Sequence, residues 1–268
     1  MRLWKNTETL DDFYPDLREC VDLASAEVAV LGSGPIDLSE ARNLVGLFRC
    51  GVGVDNVPFK ECEERGIVVG LPSQMTREAI FDETASFAVH LCLNALYESQ
   101  GDVATWSKKN RAAMRDRTVM VLGNGNIGGR VAKWLDGICN VVTWDLAQDD
   151  YRELVDKLPK ADVVSLHFPL NDETHEWFDD RLMSLMKDGA ALVNTARGGI
   201  VNEEDLFKHL SSGRLRALFD VFWQEPYRGK LSHLPEDTFR MTPHISSHSD
   251  RFLAGLADDL KRFIQSLN

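Results

Sequence analysis

The chain has 268 residues, 44% hydrophobic and 27% charged, with 42 acidic against 30 basic side chains and a formal charge of −12. That length allows one large or two ordinary domains, and the composition is that of a globular protein. The negative charge argues against non-specific binding to nucleic acid or anionic membranes, and no apolar run reaches the roughly 20 residues of a membrane span.

Met1 to Glu8 lacks the apolar core of a signal peptide. Cys20, Cys50, Cys62, Cys92 and Cys139 are scattered, odd in number and form no CxxC. A reducing compartment and a cytoplasmic location are therefore expected, with four of the thiols, in apolar or helical contexts, buried and inert. The histidines are dispersed, and no metal is expected.

In chain order, the first 24 residues read as a turn and an acidic helix through Phe13, Leu17 and Val21. Glu27 to Leu31 is a buried strand closed by Gly32-Ser33-Gly34-Pro35, and Ser39 caps a helix through Ala41, Leu44 and Val45. Gly46 to Cys50 is a second strand, Pro58 opens a helix to Arg65, and Ile67 to Gly70 is a third strand. This alternation predicts a small parallel α/β unit. Residues 71–83 read as a polar connection. From Glu83 to about Thr105 the pattern is helical and apolar around much of the circumference, so burial between domains or subunits is expected. Lys108 to Arg117 is a basic link.

The next stretch organises the rest. Val119 to Leu122 is a short apolar strand, Gly123-Asn124-Gly125-Asn126-Ile127-Gly128 is a G-x-G-x-x-G turn, and a helix follows through Val131 and Leu135. In this motif Gly123 allows the tight turn, Gly125 lets a pyrophosphate approach the backbone, and Gly128 lets helix pack on strand. The helix N-terminus points N–H groups at the phosphates. A second strand, Val141 to Trp144, ends in Asp145, about 20 residues on, where a carboxylate binds a ribose 2′-hydroxyl. It would repel a 2′-phosphate, so NAD is expected rather than NADP.

Helices then alternate with strands. The helices are Tyr151 to Leu158, Arg181 to Met186, Glu203 to His209 and about Asp250 to Ser266; the strands are Ala161 to Phe168, Gly189 to Thr195, Arg216 to Val221 and Phe239 to His244. The expected fold is α/β: a doubly wound parallel-sheet dinucleotide-binding domain over 83–249, and a second, smaller α/β lobe over 1–82 plus 250–268. Ligands bind beyond the carboxyl ends of such strands. Arg197, Asp220 and His244 each follow such an end, as does His167, and Glu225 lies just past Asp220.

These residues resemble the D-isomer-specific 2-hydroxyacid dehydrogenases, of phosphoglycerate dehydrogenase-like type. The matching stretches are Gly51 to Asn56, Gly123 to Gly128, Ser165 to Leu170, Leu182 to Gly198, Phe219 to Pro226 and Thr242 to Ile245. The resemblance implies a flavodoxin-like smaller lobe, NAD as cofactor and a homodimer formed through the cofactor lobe. It implies catalytic roles for Arg197, Glu225 and His244. It places Gly123, Gly125, Asn126, Ile127, Gly128, Asp145, His167, Pro169, Thr195, Ala196 and Asp220 around the cofactor, with Asp220 on the nicotinamide side. Val52, Gly53 and Arg197 would hold substrate, and Arg49, Arg77 and Trp223 are candidates for the pocket wall.

The chemistry suits a 2-oxo acid and a D-2-hydroxy acid. Arg197 offers a planar fork to carboxylate and carbonyl oxygens. His244 can give or take the carbonyl proton, and Glu225 can stabilise its imidazolium and fix its tautomer. The chain departs from the family in the short segment before Glu27, in the longer loop Pro72 to Glu83, and at Ser246-Ser247. Formate dehydrogenases of this fold carry glutamine beside the histidine, so Glu225 argues against that activity. A corepressor-like NAD sensor without efficient turnover is the competing class.

Overall fold

The computed structural model describes residues 1–97 and 101–267. The chain divides into two units, residues 1–83 with 247–268, and residues 84–246.

The first unit holds β1 (Leu3–Lys5), β2 (Val28–Leu31), β3 (Gly46–Arg49), α1 (Phe59–Glu64) and β4 (Val68–Gly70). These strands form a parallel four-stranded sheet in the order β1-β2-β3-β4. A flavodoxin-like order of 2-1-3-4-5 reads the same way once its second strand is removed. The lobe is thus shortened, yet its first strand is present. Leu3-Trp4-Lys5 pairs with Val28 to Val30, where sequence suggested only a turn and helix. The expected acidic helix is reduced to a 3-10 turn at Pro15–Glu19. Likewise Ser39 caps nothing. A 3-10 turn at Leu38–Glu40 is capped by Asp37, whose carboxylate accepts the Ser39 N–H.

The largest departure is α2, which runs Gln74–Leu96. The expected polar connection is its first half, and the expected helix to Thr105 ends early; residues 98–100 lie outside the described residues. Two contacts, one local and one distant, start the helix sooner than the apolar period suggests. Ser73 Oγ lies 3.1 Å from Thr76 Oγ1, and Asp259, far along the chain, accepts the Ser73 N–H at 2.9 Å. Further along, Asp102 accepts the Ala104 N–H at 2.8 Å and the chain turns.

The second unit holds β5 (Thr118–Leu122), α3 (Gly128–Leu135), β6 (Asn140–Trp144), α4 (Tyr151–Lys157), β7 (Val163–Leu166), α5 (Asp180–Leu185), β8 (Ala191–Asn194), α6 (Glu203–Ser211), β9 (Arg216–Phe219) and β10 (Phe239–Met241). All pair in parallel in the order β10-β9-β8-β7-β5-β6. The strand order reverses at β5, so the crevice for a ligand opens beyond the carboxyl ends of β5 and β7. Both faces of the sheet are covered. Ala85, Ala88, Leu91, Cys92 and Ala95 of α2 pack with Val119, Val121 and Val193, while Met120, Leu122 and Leu192 face a second core. The apolar residues of α2 from Ala85 to Leu96 are therefore buried in the core of the second unit.

The chain closes with α7 (Asp250–Ser266) in the first unit, burying Phe252, Leu253, Leu256 and Leu260. Burial pushes the Cys50 and Cys92 thiols up to about 12, so neither ionises at neutral pH. No helix among the described residues is long and apolar enough to cross a membrane.

Candidate active site

The glycine turn sits where the strand order reverses. Gly123 adopts φ +96°, and a Cβ on Gly128 would lie 1.8 Å from the Gly123 carbonyl oxygen, so neither position accepts a side chain. Above Gly125 the space is open. A cavity of about 550 Å³ is lined there by Asn124, Gly125, Asn126, Gly129, Arg130 and Lys133. Ile127, at the start of α3, provides no side-chain cap. The Gly129 N–H donates to the Gly125 carbonyl at 3.0 Å, and with no side chain capping the helix its positive end faces the open space over the turn.

Asp145 follows β6 and stands against this turn. Its carboxylate accepts the Asn124 N–H at 2.7 Å and the Ala147 N–H at 3.1 Å. His167 follows β7 and backs the turn: its carbonyl oxygen lies 2.7 Å from where a Gly123 Cβ would be. Its Nε2 lies 2.9 Å from Ser165 Oγ, and burial pushes its imidazole down to about 3, so it stays neutral. Pro169 continues this wall, its carbonyl taking the Thr174 hydroxyl at 2.6 Å.

The strand β8 delivers Thr195, Ala196 and Arg197. Asn194, fully buried, shapes the turn: its Oδ1 accepts the Ala196 N–H at 3.0 Å and its Nδ2 donates to the Arg197 carbonyl at 2.8 Å. Thr195 is 5% exposed, and its hydroxyl oxygen has no hydrogen-bond partner among the described residues. Arg197 is half-buried, with Nη1 donating to the Ala196 carbonyl at 2.7 Å. The next residue joins this turn to the following one. A Cβ on Gly198 would lie 2.1 Å from the Phe222 carbonyl carbon, so only glycine lets the Arg197 turn press on the Phe222 backbone.

Glu225 lies on the long loop between β9 and β10, and His244 just after β10. They meet: His244 Nδ1 is 2.8 Å and 3.0 Å from the two Glu225 carboxylate oxygens. Both side chains are about a quarter exposed, at 29% and 26%. His244 has φ +54°, a left-handed backbone that costs a non-glycine residue of order 1–3 kcal/mol unless its surroundings impose it. They do, through Asp220. This fully buried carboxylate accepts the Thr242 hydroxyl at 2.5 Å and the Ile245 and Ser246 N–H groups at 2.9 Å each. A cavity of about 540 Å³ opens beside the pair, walled by Phe222, Tyr227, Met241 and Pro243.

Residues 86–246 match the D-isomer specific 2-hydroxyacid dehydrogenase, NAD binding domain. The chain belongs to the D-isomer-specific 2-hydroxyacid dehydrogenase family. Members of this family are NAD-dependent oxidoreductases, and this one shares their two-lobe α/β fold. It is 32% identical to a hydroxypyruvate reductase of Thermotoga maritima over 79% of the chain and 74% of that protein. It is 33% identical to a D-3-phosphoglycerate dehydrogenase of Archaeoglobus fulgidus over 78% of the chain, but spans only 42% of that longer protein. Its fold matches that of a D-lactate dehydrogenase from Aquifex aeolicus, complexed with NAD and lactic acid, with a TM-score of 0.81, covering 99% and 95% of the two chains at 22% identity.

The residues of this dehydrogenase suit the dinucleotide: a glycine turn with open space above it, an acid opposite, and a buried unpartnered hydroxyl at Thr195. The Asp220 carboxylate also holds the His244 loop, because three donors of that loop converge on it. The Trp223 indole N–H donates to the Val201 carbonyl at 2.7 Å. Arg49 stands at the end of β3 beneath the loop of Val52 and Gly53, donating from Nε to the Gly53 carbonyl at 2.8 Å. Sequence reading passed over Asn194 and Gly198, although an Asn before a strand-end turn is an Asx-turn signal. His248 stands four residues past His244, but no group of three or more metal-binding side chains gathers among the described residues.

Proposed function

We propose that the protein interconverts a 2-oxo acid and a D-2-hydroxy acid, with His244 as acid–base, Glu225 as its partner and Arg197 as the substrate-binding cation. The observation that carries this is the Glu225–His244 pair, an acid-backed imidazole at a strand end beside the dinucleotide fold.

Glu225 accepts a hydrogen bond from His244 Nδ1–H and so leaves Nε2 to exchange the substrate proton. In reduction Nε2–H donates to the carbonyl oxygen; in oxidation Nε2 takes the hydroxyl proton. Glu225 stabilises the charged ring in either direction. Arg197 pairs with the substrate carboxylate and polarises the carbonyl. We assign Val52 and Gly53 to carboxylate binding through their backbone N–H groups. NAD, when bound, supplies or accepts the hydride. Gly123, Gly125, Asn126, Ile127, Gly128, Asp145, His167, Pro169, Thr195, Ala196 and Asp220 form its site.

We also propose a homodimer. The support has moved from α2, which its own core covers, to the exposed Val103 and Trp106, each 82% accessible. A cytoplasmic location suits the five free thiols.

Purified protein, NADH and a panel of 2-oxo acids test the assignment. Turnover with at least one of them is expected. Tight NADH binding with no turnover across the panel would sink it in favour of a sensor.

A further inference from the structure

The loop that carries Glu225 is strapped to the start of α6, and the proton transfer proposed above makes no use of that strap. Three side chains of the loop reach back. Trp223 Nε1 donates to the Val201 carbonyl at 2.7 Å, the Tyr227 hydroxyl donates to Glu203 Oε1 at 2.6 Å, and Lys230 pairs with Glu204. The Tyr227 hydroxyl also accepts the Leu231 N–H at 3.3 Å, closing the loop on itself. Burial, reinforced by Glu203, pushes this phenol above its ordinary value, so it remains a donor at any working pH.

Tyr227 is linked to the acid–base pair through one residue. Its ring stacks on Phe222, with centroids 5.1 Å apart and planes 18° apart. The Phe222 N–H donates to Glu225 Oε1 at 3.1 Å, and that carboxylate faces His244 Nδ1. Glu203, Tyr227, Phe222, Glu225 and His244 thus form a continuous series. Phe222, Glu225 and Tyr227 lie on a loop without regular secondary structure, which alone would sample many conformers. A carboxylate swung off the imidazole no longer stabilises the charged ring.

We propose that Tyr227 is a positioning residue for the Glu225–His244 pair, acting through Phe222 and anchored by Glu203. This rests on the acid–base reading of that pair. The anchor needs an acceptor at position 203 and not a charge, because the phenol donates.

The test is a double-mutant cycle read in kcat and KM, with amide exchange of the cofactor-free protein beside it. Tyr227→Phe and Glu203→Ala are each expected to lower kcat about three- to tenfold with KM within about twofold. The double variant should be no worse than either single one, and Glu203→Gln should retain most of the rate. In exchange, the Phe222 amide should open about tenfold faster in Tyr227→Phe. Should that variant fail to fold, Glu203→Ala reads the same link. Wild-type kcat in Tyr227→Phe, with turnover still lost in His244→Gln, overturns the inference and leaves the acid–base reading standing. If wild-type turnover is absent, or survives His244→Gln, the acid–base reading fails. Exchange then decides the strap: unchanged protection at Phe222 overturns it, and faster exchange upholds it.

Discussion

Asp220 and Ser246 are 26 residues apart in sequence, yet the Asp220 carboxylate accepts the Ser246 backbone N–H at 2.9 Å. With Thr242 and Ile245 held by the same carboxylate, the segment on both sides of His244 is pinned. Replacing Asp220 by Ala strands three donors in a buried site. We expect a loss of roughly 2–4 kcal/mol in urea unfolding, since each unsatisfied buried group costs about 1–3 kcal/mol and some relaxation follows. Turnover should fall with it. Stability within 1 kcal/mol of the parent, judged against that expectation, would show that the clamp carries little.

His244→Gln keeps a polar side chain but cannot carry the proton. We expect kcat to fall about 10²–10⁴-fold. NADH binding, followed by fluorescence, should stay within threefold of the parent on the scale set by RT. Retention of most of the turnover removes His244 from the chemistry.

Asp145 should decide between the two nicotinamide dinucleotides. Its carboxylate already faces the glycine turn through the Asn124 N–H at 2.7 Å. A 2′-phosphate beside it meets like charge, so NADH is expected to bind at least about tenfold more tightly than NADPH, or about 1.4 kcal/mol. Asp145→Ser should narrow that gap by weakening NADH and relieving NADPH. Equal affinities in the parent protein would count against the assignment.

Asp259 caps α2 from α7, 186 residues from the Ser73 N–H it accepts. Its burial opposes ionisation, but hydrogen bonds from Thr76, Ser73 and Arg262 outweigh this and hold its carboxyl below the usual range. The folded value is depressed, so the stabilisation is fully present above the unfolded value of 3.8 and is lost as pH falls through the folded one. Asp259→Ala should cost about 1–2 kcal/mol at neutral pH, as for other helix caps. The difference from the parent should shrink only below about pH 4, close to the ordinary carboxylate value. A difference that shrinks already between pH 7 and 5 would assign the effect to another group.

Much of the second unit was legible in advance because its signals are local. An apolar strand, a glycine turn and an amphipathic helix each declare themselves within about ten residues, and the acid at the end of β6 follows from the motif spacing. The first unit was harder. Leu3-Trp4-Lys5 is too short to show a period, and becomes a strand only because β2 offers it an edge. The start of α2 hides among Arg77, Glu78, Asp82 and Glu83, and is set by a carboxylate on another helix.

By itself, the order of residues determined that there would be alternating strands and helices, a dinucleotide turn, and an arginine, a glutamate and a histidine at strand ends. It could not say which strand ends are neighbours. That was decided by sheet order, β10 beside β9 beside β8, which brings the turns after all three to one edge. It was also decided by close approach, since Gly198 against Phe222 and Asp220 against the His244 loop are contacts between segments that share no local pattern. Periodicity and turn chemistry act over a few bonds, whereas the meeting of Glu225 with His244 depends on the packing of the whole unit.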